Sequence, residues 1–257
     1  MASSGRVAWV TGGGRGIGRA IALQLAGRGD AVLVTGRNER ALGEAVGEIA
    51  YQGGRARHLV ADVRDPAAME RAARTAVEQL GGLDVVIANA GVSGPAPIGA
   101  DPAFAADIIA TNLLGTLHTF RAASLAMTGP GRMVAISSVL GKFGVPDYTA
   151  YCASKAGIQG LVRALSQELG PRQITVNAVC AGWTETDMAD LGIAVMAKTD
   201  GVSTEEARRR ATERFPLGRF LDPDEVARFV AYVSSVEAGG ITGQSLSICG
   251  GSTAFGS

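Results

Sequence analysis

The chain has few aromatic residues, few histidines and cysteines, and no excess of charge of either sign. Its two histidines, His58 and His118, cannot form a metal cluster, and neither has a carboxylate pair at ligand spacing. No resident metal is expected. The three cysteines, Cys152, Cys180 and Cys249, are odd in number and show no CxxC spacing. They read as reduced thiols rather than a disulfide framework. Lysine plus arginine number 24, as do aspartate plus glutamate. Such a balance argues against a general nucleic-acid binder and against attraction to an anionic membrane surface. No apolar run reaches the roughly 18 to 20 residues that span a bilayer. The opening MASSGRVAWVTGG has only a short apolar stretch before its glycines, unlike a secretion signal. A soluble, cytoplasmic protein is expected.

What the chain does have is glycine, 36 residues of it, and a regular rhythm. Apolar runs of strand length recur: RVAWV (6–10), AVLVT (31–35), RARHLVADV (55–63), LDVVIANAG (83–91), GRMVAISS (131–138), ITVNAVCAG (174–182) and GQSLSIC (243–249). Helix-like stretches separate most of them. Ile17, Ile21 and Leu25 form one stripe, a second helix runs to about Tyr51, and Asp65 with Pro66 opens a third. Longer helices are expected over about 103–127 and 150–169. Strands that are apolar throughout are buried on both faces. Strand and helix in alternation give a parallel α/β sheet with helices on both sides. One domain, 1–257, is expected. Residues 183–215 break the rhythm before PLGRF and read as a substrate lid. Within them VSTEEARRRA looks helical, capped by Ser203 or Thr204.

After the first strand comes TGGGRGIG (11–18). Glycines at 12, 16 and 18 let the backbone turn sharply into a helix whose first N–H groups can hold a pyrophosphate. Gly12, Arg15, Gly16, Ile17 and Gly18 are therefore candidate dinucleotide contacts. The second strand ends TGRN (35–38), with no acid at Gly36 and with Arg37 following. An acid there would repel a 2′-phosphate, and arginine favours it. Arg37, helped by Arg15, predicts NADP(H) in preference to NAD(H). Asp62, with Val63, ends the third strand and can accept from an adenine amino group. Asn89, Ala90 and Gly91 end the fourth, where ligands of open parallel sheets sit.

YCASK (151–155) puts a phenol and an ammonium on one helix face, their Cβ atoms about 5–6 Å apart. A free tyrosine has a pKa of about 10. A nearby cation lowers it, and a drop of about three units needs about 4 kcal/mol. Tyr151 then serves as proton donor to a carbonyl oxygen, or acceptor from an alcohol. Ser138 ends its strand at the same sheet edge and can hold that oxygen.

This combination resembles the short-chain dehydrogenase/reductase family in its single-domain form, over essentially the whole chain. The resemblance implies a Rossmann-type, doubly wound parallel seven-stranded sheet in a three-layer sandwich. It implies a catalytic tetrad of Asn112, Ser138, Tyr151 and Lys155. Lys155 would also bind the nicotinamide ribose, and Asn112 would hold a water linking Lys155 to solvent. Gly182, Thr184 and Thr186 would approach the nicotinamide. Ala181 stands where the family usually has proline, and Trp183 reads either as a roof over the site or as lid packing. Homotetramers are common in the family, built on the two long helices and on the last strand.

Among its relatives the chain resembles 3-oxoacyl-thioester reductases, including acyl-carrier-protein reductases and polyketide ketoreductases. That implies NADP(H)-dependent reduction of a ketone or 3-oxoacyl thioester at a CH–OH group. Arg208, Arg209, Arg210, Arg214 and Arg219 could face an acyl carrier protein, or form a solvated helix face. The alternatives are a dehydrogenase of a cyclic or secondary alcohol or hydroxyacyl-CoA, with NAD(H) still open as cofactor, a nucleotide-sugar epimerase, and a dinucleotide sensor without catalysis.

Overall fold

The computed structural model describes residues 5–213 and 215–254. Among these, seven strands form one parallel sheet: β1 (Val7–Thr11), β2 (Ala31–Gly36), β3 (Ala56–Val60), β4 (Val85–Ala88), β5 (Gly131–Ser138), β6 (Ile174–Ala181) and β7 (Ser245–Ile248). Their order is β3-β2-β1-β4-β5-β6-β7. All pairs are parallel. The central strands β1, β4 and β6 are buried along their whole length. That is why they read as unbroken apolar runs. The edge strand β3 is largely exposed and shorter than its sequence run.

Alternation along β1 feeds two cores. Val7 and Trp9 face one, with Leu33, Met69, Phe120, Met133 and Ile158. Ala8 and Val10 face the other, with Ile21, Leu25, Val34, Ile87, Val226 and Val230. Helices α1 (Gly16–Gly27) and α2 (Glu39–Tyr51) cover the second face. Helix α3 (Pro66–Leu80) covers the first, starting at Asp65 as expected. The indole of Trp9 donates to Thr35 Oγ1 at 3.0 Å, so this buried ring leaves no unpaired N–H.

The expected helix over 103–127 is interrupted. It begins as α4 (Pro102–Ile109), passes through a π-helical segment at Ala110–Leu114, and continues as α5 (Gly115–Ala126). Such a segment inserts one extra residue per turn and often marks a functional position. Helix α6 (Thr149–Leu169) follows expectation.

The 183–215 excursion carries two helices, α7 (Asp187–Asp200) and α8 (Thr204–Thr212). Only α8 was legible in the sequence, and Ser203 caps it by accepting from Glu206 N at 3.2 Å. The two helices share a small core of Ala189, Ile193, Ala197, Ala207 and Phe220. Helix α9 (Pro223–Val233) was also unforeseen. A reciprocal cap starts it, with Asp222 N donating to Glu225 Oε2 and Asp224 N to Asp222 Oδ1, each at 2.8 Å. No helix among the described residues is long and apolar enough to cross a membrane.

Candidate active site

Strand order reverses between β1 and β4, and the carboxyl ends of the strands open there onto a cleft of about 2430 Å³. Gly12, Arg15, Gly16, Ile17, Gly18, Arg37, Asp62, Val63 and Asn89–Gly91 line it. So do Ser138, Tyr151, Lys155, Gly182, Thr184 and Thr186.

The glycine turn is closed from both sides. Gly12 sits at φ 66°, and a Cβ there would lie 2.9 Å from Ala90 Cα. The Gly12 and Gly13 amides donate to the Thr35 carbonyl at 2.7 and 3.2 Å. From the other side Asn89 Nδ2 donates to the Thr11 and Gly12 carbonyls at 3.0 and 3.2 Å. Buried Thr11, which sequence reasoning passed over, accepts from the Asn89 and Ala90 amides at 3.0 and 3.1 Å. Its signal was the hydroxyl directly before the glycines. Arg15 precedes α1 and gives the helix no side-chain cap. The first N–H groups of α1 thus point their donors and the positive end of the dipole at the cleft. Such a cradle fits the pyrophosphate of a dinucleotide. Arg37 and Arg15 are both exposed at its mouth, and Arg15 has one long contact to Asp187 at 3.9 Å.

Ser138 ends β5, and the first turns of α6 carry Tyr151 and Lys155. Ser138 Oγ accepts from Leu140 N at 3.1 Å and stands beside the Tyr151 phenol. Lys155 Nζ donates to the Ile136 carbonyl at 2.9 Å and lies 5.6 Å from the Tyr151 ring centroid. The expected depression of the phenol by the amine is not what the protein's own groups produce. Burial dominates and pushes Tyr151 up to about 12, with Ser138 pulling the other way. The same burial brings Lys155 down to about 8. Removing a phenolate from water costs more than one ammonium, itself disfavoured by burial, gives back.

Asn112 lies in the π-helical segment, fully buried. Its Nδ2 donates to Val92 O at 2.9 Å and Ser154 Oγ at 3.1 Å, and its Oδ1 accepts from Val92 N at 2.8 Å. A Cβ at Gly91 would stand 3.1 Å from Asn112 Oδ1 and 3.6 Å from Lys155 Nζ. Gly91 therefore keeps open the space between these two groups. From sequence alone Asn112 has no visible role, because its partners come from a distant loop and from α6.

Beyond β6, Gly182 packs on Cys249, leaving no room for a side chain. Ala181 pairs with Ile248, so the strand stays regular without the family's proline. Thr184 is buried and bridges to Leu221, and its hydroxyl donates to Gly182 O at 3.1 Å. Thr186 caps α7 and places its methyl 3.2 Å from the position of a Cβ at Gly16. The lid is thereby seated against the glycine turn. Trp183 combines both sequence readings: it lines the cleft and stacks on Phe220 at 5.1 Å. Tyr148, not anticipated, meets Tyr151 edge-on at 6.4 Å.

The candidate basic patch is neutralised. Arg208 holds Glu185 and Asp190, Arg209 holds Glu206 and Glu213, Arg210 holds Glu206 and Asp200, and Arg219 holds Glu225. Arg214 lies outside the described residues.

The family model described as enoyl-(acyl carrier protein) reductase matches residues 12–253. A granaticin polyketide synthase putative ketoacyl reductase of Streptomyces violaceoruber is 40% identical over 251 residues, 95% of this chain and 92% of that protein. The 3-oxoacyl-[acyl-carrier-protein] reductase FabG of Haemophilus influenzae is 35% identical, covering 96% of this chain and 98% of that one. A variant of actinorhodin polyketide ketoreductase solved with NADPH superposes with TM-score 0.94 at 38% identity, over 99% and 100% of the two chains. A short-chain dehydrogenase/reductase from Serratia marcescens gives TM-score 0.90 at 32% identity, over 98% and 100%.

Proposed function

The chain belongs to the short-chain dehydrogenase/reductase family, and on that premise we propose that it reduces a ketone or 3-oxoacyl thioester to the secondary alcohol with NADPH. One observation carries the reading: two hydroxyls, those of Ser138 and Tyr151, stand side by side in the cleft, with the Lys155 amine beside the phenol. Two O–H groups meeting at one point suit a carbonyl oxygen better than a carbon–carbon double bond. This favours ketone reduction over the enoyl reduction in the family model's description. Bound in the cradle, a reduced nicotinamide supplies the hydride. Ser138 holds the substrate oxygen and Tyr151 gives it a proton. Lys155 stabilises the phenolate left behind, and Asn112 holds the loop that borders Lys155. A phenol held protonated by burial is the form that reduction consumes, so the reductive direction suits neutral pH.

The alcohol-dehydrogenase direction needs the phenolate and belongs at alkaline pH. A panel of 3-oxoacyl thioesters and cyclic ketones, followed by NADPH consumption, tests the reading. With an accepted ketone, kcat/KM should be level below about pH 8 and fall above it, as Lys155 loses its proton. A rate that rises through that pH would overturn the assigned proton donor. The substrate is read as a small-molecule ketone or thioester; the described arginines 208–210 and 219 are each paired with a carboxylate, which weakens the case for a carrier-protein face there. A homotetramer is part of the proposal, supported by Leu117 and Leu125, which α5 leaves exposed, and by the free edge of β7.

NADP(H) preference is assigned to Arg37 and Arg15. Arg37→Asp should lower kcat/KM for NADPH by about tenfold or more, since one charge-assisted phosphate contact becomes a repulsion, and should raise it for NADH. Equal use of both cofactors by the unaltered enzyme would remove the assignment.

A further inference from the structure

Beside the adenine end of the cleft stands a clamp that the reading above does not use. Arg64 follows β3 and is bound to the Asp62 carboxylate through both of its oxygens. Nε lies 3.1 Å from Oδ1 and 3.0 Å from Oδ2, and Nη2 lies 2.6 Å from Oδ2. The Arg64 amide adds a bond to Oδ1 at 3.0 Å. The remaining arm of the guanidinium, Nη1, reaches Asp107 Oδ1 on α4 at 2.6 Å. One planar cation thus spans two carboxylates on two elements. Its hydrogen bond is the largest influence on Asp62 and holds that carboxyl below its usual range.

The neighbouring residue is fastened to the next helix, α5. The Val63 carbonyl lies 3.0 Å from His118 Nδ1, and the Val63 side chain fills the place where a Cβ at Gly115 would go, at 2.6 Å. The strand end that carries Asp62 is therefore fixed to α4 and α5, the helices on either side of the π-helical segment with Asn112. Arg64 itself does not line the cleft, whereas Asp62 does. A free aspartate at a strand end would rotate about two side-chain bonds, and a guanidinium fork removes that freedom.

We propose that Arg64 is a positioning residue for the dinucleotide. It fixes the Asp62 carboxylate toward the adenine amino group and uses Asp107 as its counter-anchor. The proposal rests on the reading of Asp62 as an adenine contact, so the experiment separates the two. Competitive inhibition by adenosine 2′,5′-bisphosphate probes the adenine end, and inhibition by reduced nicotinamide mononucleotide probes the other end.

Asp62→Asn first tests the contact itself and should weaken the bisphosphate by about tenfold, as expected for one lost charged hydrogen bond. Arg64→Leu should weaken it by a similar factor, leave the mononucleotide constant within about twofold, and place its kinetic loss in KM for NADPH rather than kcat. Arg64→Lys should recover only part, because one ammonium cannot hold both oxygens and Asp107 together. If Asp62→Asn weakens the bisphosphate and Arg64→Leu does not, the clamp is overturned while the adenine contact stands. If Asp62→Asn leaves it unchanged, both fall. Equal weakening of both inhibitors by Arg64→Leu would mark general loosening of the fold and overturn the positioning role.

Discussion

Tyr151→Phe should reduce turnover of an accepted ketone by about 10³-fold or more, the usual scale for losing a positioned proton donor. NADPH binding, followed by nucleotide fluorescence, should change by less than about twofold. The phenyl ring keeps the packing against Tyr148 and removes only the hydroxyl that meets Ser138. Among the described residues that line the cleft, neither neighbour of the phenol can take its place. Ser138 has an alkoxide too costly to form, and Lys155 is tied to the Ile136 carbonyl. The energetic problem lies after proton transfer. With burial pushing the phenol up to about 12, leaving a phenolate in the cleft at pH 7 is unfavourable. The Lys155 ammonium, 5.6 Å from the ring centroid, reduces that cost as the charge forms. It is still mostly protonated at pH 7, since its own value is about 8. Turnover in Tyr151→Phe within tenfold of the unaltered enzyme would remove proton transfer by this residue.

The two pKa directions also show what a sequence conveys and what it withholds. The spacing of Tyr151 and Lys155 was legible, because a helix converts four residues of separation into one face. The seven strand runs and the glycine turn were legible for a like reason: buried strands and sharp turns leave local signatures. The sign of the Tyr151 shift was not legible. It depends on how much protein surrounds the phenol, and that protein comes from the loop after β4, from α4 and from Tyr148 before α6. The π-helical segment escaped for the same cause. ATNLLG reads as ordinary helix, and what makes its role specific is Asn112 bonding to Val92 and Ser154, 20 and 42 residues away. The basic stretch at 208–210 was left open between a carrier-protein face and a solvated helix face, because its partners are not visible in the sequence. Helix α7, the strand-end loop and the helix's own first turn supply those partners as Asp190, Asp200, Glu185 and Glu206. Helix α9 was a different kind of miss, since LDPDEVARFV carries its cap and its apolar spacing openly.

Gly18→Ala should be the most damaging single methyl in the chain. Gly18 has no left-handed φ to protect, so the argument is steric alone. A Cβ there would lie 2.3 Å from the Gly12 carbonyl oxygen and 2.3 Å from Asn89 Nδ2. The oxygen belongs to the backbone of the glycine turn and cannot swing aside. Asn89 could move only by giving up its bonds to the Thr11 and Gly12 carbonyls. Either α1 must lift off β1 or the turn must open. Overpacking of this kind costs about 1–3 kcal/mol before any hydrogen bond is lost. At about 2–4 °C per kcal/mol for a chain of this size, the melting temperature should fall by roughly 5–10 °C.

The uncapped amides of α1 move with the helix, so affinity for NADPH should fall by more than the melting temperature alone suggests, on the order of 100-fold. Gly43→Ala supplies the contrast. It lies inside α2 with nothing within 4 Å of its Cβ position. That change should leave cofactor affinity alone and stabilise the chain by about 1 kcal/mol through helix propensity. If both substitutions left NADPH affinity and melting temperature equally intact, the first helix would not be seated on the glycine turn, and the amides assigned to the pyrophosphate would be in the wrong place to hold it.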